Sequence, residues 1–114
     1  AKGCVINIVD IHAERPMPGH AVYNISKAGI AMMTKALAQE LGPDIRVNGV
    51  SPGAIMWPEA EMTKGEKQSI LERTSLGRVG DPSDIASAVA YLALDAPYVT
   101  GQILAVDGGR SLNV

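Results

Sequence analysis

The stretch Cys4-Val5-Ile6-Asn7-Ile8-Val9-Asp10 is apolar and largely β-branched, and it ends on a carboxylate. A strand with one wet face would alternate polar and apolar residues. A nearly continuous run suits a strand buried on both faces of a parallel sheet. From Val22 to Leu41 the period lengthens to that of a helix: Val22, Ile25, Gly29, Met33 and Ala36 recur along one row, with Ile30, Leu37 and Leu41 alongside. Gly42-Pro43 stops it. Ile45-Arg46-Val47-Asn48-Gly49-Val50 reads as a second strand, which Ser51-Pro52-Gly53 breaks. Trp57 to Glu72 is polar and reads as a mobile loop with a short helix. Asp81-Pro82-Ser83-Asp84 opens a further helix, with Asp81 as cap, Pro82 in the first turn and Asp84 suited to the helix dipole. That helix turns Ile85, Val89 and Leu92 inward and ends before Pro97. Gln102 to Val106 makes a third strand, closed by Asp107-Gly108-Gly109.

Strand, helix, strand, helix, strand implies right-handed crossovers and an α/β fold with a doubly wound parallel sheet. Ligands of such sheets bind outside the carboxyl ends of the strands. Asp10 and Ser51-Pro52-Gly53 both fall there.

Composition narrows the classes. With 114 residues the chain is one domain at most. A hydrophobic share of 46% and a net charge of -2 exclude a disordered chain and a nucleic-acid binder. No run approaches the roughly 20 apolar residues of a membrane-spanning helix, and Ala1-Lys2-Gly3 leads straight into a strand rather than a signal peptide. The single cysteine, Cys4, has no internal disulfide partner and is expected as a buried core thiol in a reducing compartment. His12 and His20 lack metal-ligand spacing and read as exposed loop residues.

Thirteen residues separate Asp10 from Tyr23, and Lys27 follows the tyrosine by four. Positions i and i+4 share a helix face, so the Lys27 ammonium can sit beside the Tyr23 phenol and favour its phenolate. At about 4 Å and an effective dielectric near 20 the attraction is roughly 4 kcal/mol, against about 1.4 kcal/mol per pKa unit, which brings a tyrosine within reach of neutral pH. A charged Asp10 beside Tyr23 works the other way.

These pieces together resemble the C-terminal half of a short-chain dehydrogenase/reductase. The resemblance is carried by Asn7 to Asp10, Tyr23-x-x-x-Lys27, Arg46-Val47-Asn48-Gly49-Val50-Ser51-Pro52-Gly53, Leu76-Gly77-Arg78-Val79-Gly80-Asp81-Pro82-Ser83-Asp84-Ile85-Ala86, and Tyr98-Val99-Thr100-Gly101-Gln102 through Val106-Asp107-Gly108-Gly109. It implies a Rossmann-like fold, of which this chain is the C-terminal part, and hydride transfer with a nicotinamide cofactor. Asp10, Tyr23 and Lys27 would be catalytic, with Lys27 also on the nicotinamide ribose. Ser51, Pro52, Gly53 and Ile55 would flank the nicotinamide, since glycine permits close backbone approach.

Most members of that family carry serine where this chain has Asp10. In the context Asn-Ile-Val-Asp the substitution is similar to the pteridine reductases, which implies NADPH as cofactor and a pterin or folate as substrate. A carboxylate accepts hydrogen bonds from the N–H edge of a pterin, whereas a serine hydroxyl polarises a carbonyl or alcohol oxygen. Asp10, Tyr23 and Trp57 would then meet the substrate. The alternatives are an ordinary ketone or alcohol dehydrogenase with an unusual aspartate, and a non-catalytic half-domain. The family further implies a cytoplasmic homotetramer in which the long helix, with its small Ala28 and Gly29, packs on a partner's copy; Met32 and Met33 read as core or subunit contacts. No glycine-rich Thr-Gly-x-x-x-Gly-x-Gly stretch is present, so a fragment of a longer enzyme is expected, inactive by itself.

Overall fold

The computed structural model describes residues 2–11, 17–53 and 63–112. In chain order these form β1 (Gly3–Ile8), α1 (Ala21–Leu41), β2 (Ile45–Pro52), α2 (Lys64–Arg73), α3 (Pro82–Leu94) and β3 (Ile103–Val106), followed by a 3-10 turn at Arg110–Leu112. The strands lie side by side in the order β1-β2-β3, both pairs parallel. The expected α/β architecture is therefore present.

Side chains alternate across a strand, so each face of the sheet has its own helix. Ile6, Val50 and Val106 join Ile85, Ala88, Leu92 and Ala96 in the core on the α3 side. On the other face Asn7 reaches Thr34 of α1 through a 3.0 Å hydrogen bond. Two polar residues of β2 serve this packing. Arg46 donates to the carbonyls of Leu92 at 2.7 Å and Ala93 at 3.2 Å, satisfying groups that the end of α3 leaves unpaired. Fully buried Asn48 donates to the Val99 carbonyl and accepts from Gln102 N–H, which sets the turn that leads into β3.

The α3 start is as expected. Asp81 accepts from Ser83 N–H at 2.9 Å, Asp84 accepts from Asp81 N–H at 2.8 Å, and Pro82 sits in the first turn. Within the polar stretch, α2 starts at a second reciprocal cap between Thr63 and Glu66.

Three expectations need correction. The strand buried on both faces is β2, where Val47 and Val50 are fully buried; in β1, Val5 and Ile8 are exposed, and so is Cys4. The reason is position, since among the described residues β1 pairs with β2 alone and so forms an edge of the sheet. Along α1, the row Val22, Ile25, Met33 and Ala36 points outward, together with Gly29 and Met32. The helix instead rests on the sheet through Thr34 and Ala38, which allow a close approach. Finally, β2 runs on through Ser51 and Pro52, paired with Ala105 and Val106. Gly49 and Gly53 donate toward β3, so the alternate position 52 faces the β1 side, where pairing has ended after Ile8 and Val9. A proline there removes no ladder bond.

Candidate functional site

The carboxyl ends of β1 and β2 lie together. Val9 N–H donates to the Val50 carbonyl at 2.7 Å, which sets Asp10 beside Ser51-Pro52-Gly53. The first turn of α1 returns over this edge. Tyr23 Oη donates to Asp10 Oδ2 at 2.6 Å, and one turn later the Lys27 ammonium stands over the Tyr23 ring, 5.8 Å from its centroid, within cation–π range. The three side chains singled out from the sequence are thus brought together. Tyr23 is 38% exposed, so a small molecule can reach its hydroxyl.

The electrostatics reverse the expectation for Tyr23. Its pKa is pushed up to about 12, first by the hydrogen bond to Asp10, then by burial and by the carboxylate's charge. Losing the proton would forfeit a short donated bond and set phenolate against carboxylate. This outweighs the lowering that Lys27 was expected to impose.

The turn before α1 is fixed by Asn24, the residue after the tyrosine. Its side-chain amide donates to the Met17 carbonyl at 3.1 Å and its oxygen accepts from Met17 N–H at 3.2 Å. His20 is exposed, with Nδ1 2.9 Å from the Pro18 carbonyl oxygen, as its reading as a loop residue required. His12, Ile55 and Trp57 lie outside the described residues. No cluster of three histidine, cysteine, aspartate or glutamate side chains is placed to hold a metal ion among the described residues.

Ser51 is buried, and Pro52 and Gly53 are partly so. Gly53 answers to a constraint within the chain itself. A Cβ there would lie 2.7 Å from Asp107 Cβ and 2.8 Å from Asp107 Cα, so the glycine admits the start of the turn after β3. Asp107 builds that turn by accepting from Gly109 N–H at 3.0 Å and Ser111 N–H at 2.9 Å, while Gly108 and Gly109 take positive φ. Burial works to raise the Asp107 pKa, but these bonds hold it below the usual carboxylate range.

Sequence reasoning missed the Asn7–Thr34 link and the Asn24 clamp. The signal was there: one amide in an apolar strand, one hydroxyl in the sheet-facing row of a helix, and an asparagine beside the tyrosine. Chemically, the site offers a protonated, reachable hydroxyl flanked by a carboxylate and an ammonium at the sheet edge where this architecture takes ligands. An ammonium and a phenol are donors that suit a ribose and a substrate oxygen, so the residues present fit a nicotinamide nucleotide.

Comparison with known proteins agrees with this geometry. A family model described as enoyl-(acyl carrier protein) reductase matches residues 1–111. Carbonyl reductase family member 4 of Danio rerio is 43% identical over 112 residues, covering 96% of this chain and 46% of that protein. A 3-oxoacyl-(acyl-carrier-protein) reductase of Thermotoga maritima is 41% identical over 111 residues, covering 95% of this chain and 45% of its own length. The structure of 4-hydroxyisoleucine dehydrogenase complexed with NADH superposes with a TM-score of 0.87 at 34% identity, over 99% of this chain and 48% of that one. The chain thus spans about half the length of the curated relatives it matches.

Proposed function

Because the chain belongs to the short-chain dehydrogenase/reductase family, we propose that it is the C-terminal part of a Rossmann domain that moves hydride between a nicotinamide and a carbonyl or alcohol carbon. The observation that carries this reading is the Tyr23 hydroxyl at the carboxyl edge, bonded to Asp10 at 2.6 Å with Lys27 over its ring. The bound nicotinamide supplies the hydride. Tyr23, kept protonated by its neighbour, gives its proton to the carbonyl oxygen, so that C=O becomes CH–OH. The phenolate left behind faces Asp10, and the Lys27 ammonium offsets one of the two charges. Asp10 stands where most of the family has serine and holds the phenol in place. Ser51, Pro52 and Gly53 would flank the nicotinamide at this edge.

Relatives named for carbonyl and 3-oxoacyl reduction support an oxygen-bearing substrate over the pterin expected from Asp10. One observation keeps the pterin as a second reading: a carboxylate, not a hydroxyl, occupies this place, and it suits the N–H edge of a pterin. We propose NADPH as the cofactor, with NADH as the alternative, since 4-hydroxyisoleucine dehydrogenase forms a complex with NADH. We further propose a cytoplasmic homotetramer in which the outward row of α1, Val22 to Met33, packs on a second copy. No helix among the described residues is long and apolar enough to cross a membrane.

The test is turnover by the enzyme carrying this half, with each nicotinamide, on a ketone, a 3-oxoacyl thioester and a dihydropterin, for the parent and Asp10→Ser. Ketone or thioester reduction that survives Asp10→Ser supports the first reading. Dihydropterin reduction that Asp10→Ser abolishes establishes the second, and loss of no activity in Tyr23→Phe would sink both.

A further inference from the structure

Thr34 is fully buried in the middle of α1, and a valine would fill the same volume. Its hydroxyl is nonetheless fully engaged. It donates to the Ile30 carbonyl at 2.8 Å, one turn back on its own helix, and accepts from Asn7 Nδ2 at 3.0 Å across to β1. The backbone bond holds the O–H back along the helix and so leaves a lone pair of the oxygen facing the strand.

The sheet face that carries Asn7 also carries fully buried Val47, so the rest of the contact with α1 is apolar packing, which has no direction of its own. Thr34 and Ala38 are small, and Gly49, the register partner of Asn7, presents no side chain on that face. Non-directional packing over such small side chains tolerates a slight slide or rotation of the helix. A directional bond between two side chains does not, because hydrogen bonds weaken steeply with misalignment. Asn7 lies three residues before Asp10, about 10 Å along the strand. Thr34 lies eleven residues after Tyr23, about 16 Å along the helix. A small slide of α1 at Thr34 would therefore be carried rigidly to Tyr23 and open its 2.6 Å contact with Asp10.

We infer that Thr34, through Asn7, is a positioning residue for the Asp10–Tyr23 pair: the Asn7–Thr34 bond sets the register of α1 on β1 and so brings the phenol to the carboxylate. The relevance of this device to catalysis rests on the hydride-transfer reading, whereas the device itself can be read without turnover.

The measurement is the ionisation of Tyr23, followed by the 13C shift of its ring Cζ and assigned against Tyr23→Phe. In Thr34→Val and in Asn7→Leu the ionisation should fall by about one unit, because the bond to Asp10 loosens. The double variant should fall no further than either single one, as residues in one linkage are not additive. Thr34→Ser, which keeps the hydroxyl, should behave as the parent. Should Thr34→Val fail to fold, Asn7→Leu on the half-buried strand decides alone. An unmoved Tyr23 in the folded variants that lack the bond, or a shift in Thr34→Ser as large as in Thr34→Val, overturns the proposal. Expected shifts without nicotinamide-dependent turnover on any substrate would leave the positioning role standing and remove the functional reading.

Discussion

Tyr23 Oη donates to Asp10 Oδ2 at 2.6 Å, so the residue that stands in place of the family's usual serine is also the one that keeps the tyrosine protonated. Lys27 and Asp10 pull the phenol in opposite directions, and the carboxylate wins because it is joined by a short donated bond while the ammonium lies against the ring face. On the proposed hydride transfer, a proton held this firmly suits the reducing direction, in which Tyr23 would arrive as an acid.

Replacing Asp10 by serine should therefore bring the Tyr23 ionisation down from about 12 to 10 or below, since Lys27 then acts unopposed. Ring-carbon NMR of Tyr23 checks this. In the complete enzyme the same change should raise alcohol oxidation near neutral pH relative to carbonyl reduction, because a base becomes available. A Tyr23 still ionising near 12 would show that burial, not the carboxylate, sets its pKa.

The same shift makes stability depend on alkaline pH. The folded value lies above the ordinary value of about 10, so the fold binds this proton more tightly than the unfolded chain does. Its stabilising contribution is complete below about pH 10 and is lost as pH rises through about 12. Urea midpoints of the parent should fall across that window, and Tyr23→Phe should show a smaller fall.

Much of this was legible in the sequence. The order of elements, the Asp81-Pro82 helix start and the nearness of Lys27 to Tyr23 followed from period, capping chemistry and spacing, while the place of Asp10 beside them followed only from the family resemblance. What escaped was anything set by neighbours distant in sequence. The apolar run of β1 shows what would tolerate burial, but only the pairing places β2 in the middle. Two apolar rows on α1 are equivalent until Thr34 meets Asn7. Helical spacing puts Lys27 near Tyr23, but it does not say that Asp10 will accept the phenol's proton at 2.6 Å, and this short contact reverses the pKa shift.

Two glycines with different surroundings should respond oppositely to alanine. At Gly53 the new Cβ would meet the Asp107 backbone at 2.8 Å, which has little freedom to yield, so Gly53→Ala should cost about 1–3 kcal/mol and loosen the β2–β3 end. Nothing stands within 4 Å of the same atom at Gly29, on the outward face of α1. There the only effect is helix propensity, and Gly29→Ala should stabilise the isolated chain by about 0.5–1 kcal/mol. Paired urea unfolding curves decide both. Equal destabilisation at the two positions would mean that a second copy of the chain already covers Gly29 in solution.

Arg46 offers the last prediction. Its guanidinium spans the end of α3, with Nη1 donating to Leu92 O and, at 3.4 Å, to Val99 O, while Nη2 reaches Ala93 O. A planar fork makes these bonds at once, and a lysine ammonium on a shorter reach cannot. The carbonyls at the end of a helix have no partner within it, so losing the guanidinium leaves partly buried acceptors unsatisfied. Arg46→Met should cost about 2–3 kcal/mol and Arg46→Lys about half of that, read from urea midpoints. Because Arg46 also steadies the 96–102 turn that leads into β3, amide exchange should rise at Gly101 and Ile103 before it rises at Ile6 or Val47. Uniform exchange across the sheet would mean instead that α3 and β3 unfold together with β1 as one unit, and that Arg46 contributes to the whole core and not to this corner.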